Sequence, residues 1–197
     1  MNGVIFMAEK QWRLQSNPAW PQCKAALPEV LVFTETQVDA FRVRWQVHEQ
    51  ATTFRCEVTS DGGPCWQDSC VEIFLRALDG SHRYCNFEFN AKGFCLAASG
   101  PNRFGRQEIK PDQYTRIQRQ AGTIKQSING GLEWSLQVEI PVDLFYATTG
   151  GDLRNFALEG NLYKCGDQTE APHWLSAFPV TTLRPDFHQP GCFKRLD

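Results

Sequence analysis

The sequence predicts an all-β fold, a β-sandwich of the jelly-roll or immunoglobulin-like type with about nine or more short strands and little helix. Three observations favour this class. Apolar and polar residues alternate with a period of two in several segments, as expected of strands with one buried face. Gly, Pro, Asn and Asp separate these segments at short intervals. Almost no segment shows the helical period, so the core must form between packed sheets.

Length and charge limit the possible functions. The 197 residues suit one domain over residues 1–197, in which residues 1–30 are expected to form an irregular capping segment because prolines interrupt them. The formal net charge of −2 argues against a nucleic-acid or membrane partner. The N-terminus lacks the basic region of a signal peptide, which predicts a cytoplasmic protein if the chain is complete and a periplasmic or extracellular one if a leader was removed.

Eight cysteines leave two interpretations open. Their even number favours disulfide pairing. However, Cys56, Cys70, Cys85 and Cys95 lie inside strand-like runs, where an unpaired Cys behaves as a small buried apolar residue. Free thiols are therefore the favoured interpretation, and no pair of cysteines shows the spacing of a zinc site.

The first clear strand covers residues 41–47, in which Trp45 lies on the apolar face and is predicted to enter the core. Residues 52–60 are interpreted as a second extended run. The sequence Asp-Gly-Gly-Pro at 61–64 then predicts a turn.

Three strand-like runs at 70–75, 84–90 and 94–98, joined by turn residues, give the strongest signal in the chain. In the middle run the apolar residues Cys85, Phe87 and Phe89 share one face. The opposite face carries a phenol, amides and a carboxylate, from Tyr84, Asn86, Glu88 and Asn90. Such a face can hydrogen-bond a polyhydroxylated ligand, or it can be a solvated surface.

The segments that follow alternate between loop and strand. Residues 99–111 predict a loop with Arg103, whose guanidinium either reaches a ligand or stays in solvent. Asn-Gly at 129–130, between two alternating runs, predicts a hairpin with Trp134 in the core. Residues 142–145 form at most one helical turn before a glycine pair.

Residues 154–164 predict another strand, whose outer face carries Asn161 and Tyr163. If this strand neighbours the run at 84–90, the two polar faces form one continuous concavity. Trp174 and Phe187, in the loop-rich tail, are expected to act as lids over it.

The segment Gly-Gly-Pro-Cys-Trp-Gln-Asp-Ser-Cys-Val-Glu-Ile-Phe-Leu at 62–75 resembles the signature of family 9 carbohydrate-binding modules: a Trp, then Asp-Ser, then Val-Glu-Ile-Phe. Asn-Phe-Glu-Phe-Asn at 86–90 resembles stand-alone members of this superfamily that are common in gut Bacteroidetes. The segments at 132–145 and 187–196 agree with the family pattern in order and spacing. The chain is therefore similar to this family from Val30 onward.

The resemblance implies a jelly-roll-like sandwich that binds sugars, often within xylan- or cellulose-degrading systems. Trp66 matches the first of two aromatic residues that clamp a terminal sugar in such modules, and Glu72 matches a carboxylate on its hydroxyls. The second aromatic falls at Phe187 and a family Arg ligand at Glu88, so the family's specificity does not transfer directly. Family members also carry structural calcium. No acidic cluster in this sequence is dense enough to assign an ion, and no other cofactor is expected.

The predicted function is non-catalytic binding of a saccharide, of plant-type polysaccharide or oligosaccharide such as xylan or glucan fragments. Sugar C–H faces stack on aromatic rings, while carboxylates and amides bind hydroxyls. The candidate ligand-binding residues are Trp66, Asp68, Glu72, Asn86, Glu88, Asn90, Arg103, Asn161, Tyr163, Trp174 and Phe187.

Two other functions stay open at this point. A xylanase-like glycoside hydrolase needs two carboxylates about 5 to 10 Å apart, for which Glu72, Glu88 and Glu159 are the candidates. A haem-binding module needs axial ligands, and the chain offers only Met1, Met7 and four scattered His.

Overall fold

The computed structural model describes residues 9–20, 27–37, 39–77, 82–128, 130–144 and 158–196. Within them, fourteen strands form two antiparallel sheets, one of six strands and one of eight. The six-stranded sheet contains β1 (Lys10–Arg13), β3 (Glu29–Thr36), β4 (Ala40–Glu49), β9 (Gln118–Ala121), β10 (Lys125–Gln126) and β11 (Leu132–Pro141). The eight-stranded sheet contains β2 (Gln15–Ser16), β5 (Cys70–Ala77), β6 (Tyr84–Asn90), β7 (Cys95–Gly100), β8 (Gln107–Glu108), β12 (Leu158–Cys165), β13 (Trp174–Ser176) and β14 (Lys194–Arg195).

The strand order explains which residues become neighbours. The six-stranded sheet runs β1-β3-β4-β11-β10, and β9 also pairs with β11. The eight-stranded sheet runs β2-β13-β12-β5-β6-β7-β8, and β14 pairs with β12. Strand β5 therefore lies between β6 and β12, so the two polar faces predicted at 84–90 and 154–164 are separated by one strand. The predicted β-sandwich is confirmed. No helix among the described residues is long and apolar enough to cross a membrane.

Several predicted elements are confirmed. The strand expected at 41–47 is the centre of β4, and the hairpin joins β10 to β11 with Lys125 opposite Glu133. Gly130 has φ +84°, a conformation that side-chain-bearing residues rarely adopt, whereas Asn129 lies outside the described residues. One helical turn covers 142–144, and Phe145 lies outside the described residues.

Two segments differ from expectation. Residues 1–30, expected to be irregular, include β1 and β2, which are too short to show a period in the sequence. Residues 52–60, interpreted as an extended run, join no sheet: a short helical turn covers Ala51–Thr53, and the following backbone binds a carboxylate instead of a strand. The backbone N–H groups of Glu57 and Val58 donate to Asp68 Oδ2 at 3.0 and 2.9 Å.

The main core lies between the two sheets. The inward faces of β4, β6 and β11 meet there, and the rings of Trp45 and Phe89 pack across the interface with centroids 6.0 Å apart. Trp134 also enters this core, as predicted. All seven described cysteines carry free thiols, which agrees with the favoured interpretation, and Cys23 lies outside the described residues.

A second apolar cluster covers the outer face of the eight-stranded sheet. Phe74 and Tyr84 stack there with ring centroids 5.8 Å apart, and Trp20, Phe187 and Phe193 cover them from loops. Five residues predicted on the polar strand faces, Asn86, Glu88, Asn90, Asn161 and Tyr163, are buried and do not form a solvated surface.

Candidate functional site

A cleft opens where the loops over the eight-stranded sheet leave its outer face uncovered. Its cavity volume is about 90 Å³. Six of the eleven residues predicted as ligand-binding line it, namely Trp66, Glu72, Glu88, Arg103, Trp174 and Phe187. The site therefore gathers residues that are more than 100 positions apart in the chain.

Two buried carboxyl groups lie side by side on the cleft floor. Glu72 on β5 and Glu88 on β6 are directly opposed across the antiparallel pair, and each is 3% exposed. Burial raises the pKa of Glu72 well above its usual range, and the neighbouring Glu88 carboxylate adds to this effect. Burial also raises the pKa of Glu88, while Arg106 opposes the shift. The pair therefore keeps a proton at pH values where an ordinary Glu has lost it.

The hydrogen bonds of this pair leave groups available to a ligand. Asn86 Nδ2 donates to Glu88 Oε1 at 2.9 Å, and Cys165 Sγ donates to Glu72 Oε1 at 3.0 Å. Arg106 Nη1 lies 3.6 Å from Glu88 Oε1. Among the described residues, Glu88 Oε2 and Arg106 Nη1 are buried without a hydrogen-bond partner. Because buried polar atoms are almost always satisfied, this acceptor and donor can form hydrogen bonds to a water molecule or to a polar ligand in the cleft.

Glycine holds the Arg106 loop close to the sheet. A Cβ atom on Gly100, at the end of β7, would lie 2.3 Å from the Cα of Arg106 and 2.6 Å from the carbonyl oxygen of Gly105. Any side chain at this position would push the loop away from the sheet, so Gly100 sets the distance between Arg106 and the carboxyl pair.

Aromatic side chains form the walls. Trp66 lies in the short helical turn Cys65–Gln67 and is 37% exposed, so its ring has a face free for stacking. Trp174 is partly buried, and its Nε1 donates to Asp167 Oδ1 at 2.7 Å. Phe187 stacks on Tyr163 with centroids 4.1 Å apart and planes at 11°, so one face of its ring is already occupied.

The remaining cleft groups are charged or polar. Arg103 lies 3.6 Å from Asp186. His188 Nδ1 is 2.7 Å from the Tyr84 hydroxyl, and burial together with the nearby Arg106 lowers the pKa of His188 to about 3. The imidazole is therefore neutral. Burial raises the pKa of Asp167, which accepts the Trp174 hydrogen bond.

The other predicted residues lie outside the cleft lining and form hydrogen bonds within the protein that stabilise the fold. Asp68 accepts backbone and side-chain hydrogen bonds, among them one from Asn90 Nδ2 at 3.1 Å. Asn161 donates to the carbonyl oxygen of Phe178 at 3.0 Å, and the Tyr163 hydroxyl donates to that of Phe187 at 3.1 Å. Asn86 supports Glu88, as described above. These residues shape the loops that frame the site.

The other six residues of the cleft lining were not among those predicted to bind a ligand. Two of the six are Cys165 and Pro185, and the remaining four carry charged or polar groups: Arg106, Asp167, Asp186 and His188. Each is close in sequence to a residue that was singled out. Arg106 shares a loop with Arg103, Asp186 and His188 flank Phe187, and Asp167 follows the end of β12. Proximity to a predicted residue was the one available signal, because none of the four lies in an alternating strand.

The ligands needed for the other open functions are placed differently. Glu159 pairs with Arg76 at 2.7 Å and does not line the cleft. Met1 and Met7 lie outside the described residues. A calcium site would need several oxygen ligands, but the only group of three possible side-chain ligands among the described residues includes two cysteines, which do not suit calcium.

A β-sandwich with a loop-framed cleft of aromatic rings, carboxyl groups and guanidinium groups defines a binding module that can hold a polar ligand with an apolar face. The family model for Carbohydrate-binding family 9 matches residues 4–197, and this chain belongs to that family. The resemblance found in the sequence is thus confirmed.

Solved structures are similar to this chain over most of its length. A candidate carbohydrate-binding protein from Bacteroides uniformis is similar with a TM-score of 0.80 and 29% identity, covering 94% of this chain and 84% of that one. A family 9 module from Caldicellulosiruptor kristjanssonii in complex with glucose has a TM-score of 0.48 and 14% identity, covering 92% and 82%. The same kind of module in complex with cellotriose has a TM-score of 0.46 and 13% identity, covering 93% and 80%. No curated protein matches the sequence.

Proposed function

We propose that this protein binds a neutral saccharide, such as a glucan or xylan fragment, in the cleft and does not catalyse its hydrolysis. The observation that carries the proposal is the exposed ring of Trp66 at a cleft where a buried acceptor, Glu88 Oε2, and a buried donor, Arg106 Nη1, make no hydrogen bond. A sugar offers both complements, since its C–H face packs on an indole and its hydroxyl groups donate and accept hydrogen bonds.

The charge of the cleft supports a neutral ligand. Four acidic residues line it, against the two guanidinium groups of Arg103 and Arg106. A uronic acid would bring a further negative charge next to the Glu72 and Glu88 pair, which already shares a site. Neutral glucose- or xylose-based chains avoid this repulsion. Membership of a carbohydrate-binding family supports the same ligand class.

The arrangement of the carboxyl groups favours binding over hydrolysis. A glycosidase places its two carboxyl groups on either side of the scissile bond. Glu72 and Glu88 instead project from adjacent strands on the same face of one sheet, so both reach the cleft from the same side. Incubation with xylan or glucan should therefore release no reducing sugar.

Replacing Trp66 by Ala should weaken saccharide binding by about 30-fold or more. Truncation of a Trp that becomes buried by its ligand typically costs about 2 kcal/mol or more of binding free energy. Isothermal titration calorimetry with cello-, xylo- and manno-oligosaccharides measures this loss. The Ile128→Ala variant is the control, because Ile128 is fully exposed and lies in the hairpin loop of the other sheet. Failure of the wild-type protein to bind any of these sugars would overturn the proposal.

Replacing Glu88 by Gln should weaken the same sugars about 10-fold, since hydrogen bonds to a charged group contribute about 1.5–3 kcal/mol. The matched control is Glu159→Gln, which removes a carboxylate of the same sheet face outside the cleft lining. Equal affinity in the two variants would exclude Glu88 as a ligand contact.

A further inference from the structure

Three possible metal ligands converge below the cleft. Cys70 and Cys165 are directly opposed across β5 and β12, and Glu72 lies two residues along β5 on the same face. The two sulfurs and a carboxylate oxygen all lie within 4.8 Å of one another, and all three residues are buried. This is the only such group among the described residues.

We propose that Cys70, Glu72 and Cys165 form a binding site for a thiophilic divalent metal ion such as Zn²⁺, with its open coordination position facing the cleft. Two sulfur ligands and one oxygen ligand select Zn²⁺ or a similar ion over Ca²⁺ and Mg²⁺, which take oxygen ligands. The sugar-binding proposal does not depend on this site.

The spacing suits one tetrahedral ion. Two sulfurs bound to the same Zn²⁺ lie about 3.8 Å apart, because each Zn–S bond is about 2.3 Å long. The three ligand atoms lie within 4.8 Å of one another, so side-chain rotations that shift the sulfurs by about 1 Å reach this spacing without movement of the strands. Cys70 and Cys165 lie opposite each other on two paired strands, so the pairing of the backbones holds the two thiols next to each other.

An ion can reach this group from the solvent. Glu72 and Cys165 line the cleft, whereas Cys70 lies behind them. Cys165 Sγ also donates to the carbonyl oxygen of Trp66 at 3.5 Å. Three protein ligands plus an open position is the arrangement of zinc sites that bind a water molecule or another small ligand in the fourth position.

Metal binding would replace the hydrogen bonds that the two thiols make in this structure. Cys165 Sγ donates to Glu72 Oε1, and Cys70 Sγ donates to the carbonyl oxygen of Val71 at 3.7 Å. As each sulfur bonds the ion, its thiol proton passes to solvent, so two protons leave for each M²⁺ bound and no electron is transferred. The carboxylate turns its oxygen from the Cys165 thiol to the metal.

Cobalt and zinc titrations of the full chain test the site. With thiols reduced by a phosphine, Co²⁺ should bind one per chain and produce a thiolate-to-cobalt charge-transfer band that Zn²⁺ abolishes. Cys70→Ser and Cys165→Ser should each lower the affinity about 100-fold or more, because even the loss of an outer contact costs 10- to 100-fold. The Cys95→Ser variant is the matched control, since Cys95 is equally buried but lies in the core between the sheets.

A Glu72→Gln variant keeps the shape of the site and guards against misfolding of the serine variants. It should lower Co²⁺ affinity about 10-fold and retain the charge-transfer band, because both thiolates remain. Absence of the band in the wild-type protein, or a band equally reduced by Cys95→Ser, would overturn the proposal. Sugar titrations on chelator-treated protein separate the two ideas, since saccharide binding there needs no metal.

Discussion

Replacing Lys164 by Met is expected to destabilise the fold by about 3–5 kcal/mol, the cost of breaking a buried ion pair from one side. Lys164 Nζ lies 3.3 Å from Glu49 Oε2, and neither side chain is exposed to solvent. Glu49 Oε1 accepts hydrogen bonds from Trp134 Nε1 at 2.7 Å and from the Ser69 hydroxyl. Without the ammonium group, the carboxylate would remain inside the protein with no opposite charge.

Lys164 makes two hydrogen bonds in addition to its ion pair, which explains why a buried ammonium is tolerated. Its Nζ donates to the carbonyl oxygen of Cys165 at 3.1 Å and to His173 Nε2 at 2.6 Å. His173 can accept there because its other nitrogen, Nδ1, donates to the carbonyl oxygen of Ala171. Burial and the Lys164 charge lower the pKa of His173 to about 2, so the ring stays neutral. The network joins β4 of one sheet to β12 of the other.

Urea denaturation with a two-state fit measures the effect, and a double variant tests its cause. Glu49→Gln with Lys164→Met removes both charges, so it should recover a large part of the lost stability. Lys194→Met, an exposed substitution on β14, should change stability by less than about 0.5 kcal/mol. A Lys164→Met variant within 1 kcal/mol of the wild type would show that the pair contributes little.

The sheets could be predicted from the sequence because each depends on a local period. Trp45 and Trp134 lie in strands with strict alternation of apolar and polar residues. The Asn-Gly pair marks the turn before the strand that contains Trp134. The same period assigns Phe87 to the core and Glu88 to the opposite face. The loops that cover that opposite face show no periodic pattern of apolar residues. Residues 178–196 fold over it with almost no strand, so the second apolar cluster could not be foreseen.

Part of the site was predictable because some of its residues belong to a local sequence pattern. Trp66 and Glu72 belong to a contiguous motif, and both line the cleft. His188 reaches the cleft through a contact with Tyr84 across 104 positions in the chain, which no local pattern records. Asp68 shows the converse case. It belongs to the same motif as Trp66, yet its carboxylate is fully buried and serves the fold.

Replacing Asp68 by Ala is expected to cost about 3–5 kcal/mol of stability and to abolish saccharide binding, because its carboxylate anchors the loop that presents Trp66. It accepts from Arg55 Nη1 at 2.7 Å, from the N–H groups of Glu57 and Val58, and from Asn90 Nδ2. Alanine would leave these donors without an acceptor, at about 1–3 kcal/mol for each that stays buried.

Thermal unfolding and calorimetric sugar titration, performed on the same Asp68→Ala sample, separate the two effects. Asp143→Ala is the control, since Asp143 also pairs with an arginine, Arg116, but is well exposed. Its stability should change by less than about 1 kcal/mol, the usual range for a surface ion pair. If the Asp68 variant loses stability but binds sugar normally below its unfolding transition, then Trp66 is held in place by its own turn, and Asp68 supports the fold alone. If stability and sugar binding are lost together, Asp68 positions the Trp66 ring, although Asp68 itself does not line the cleft.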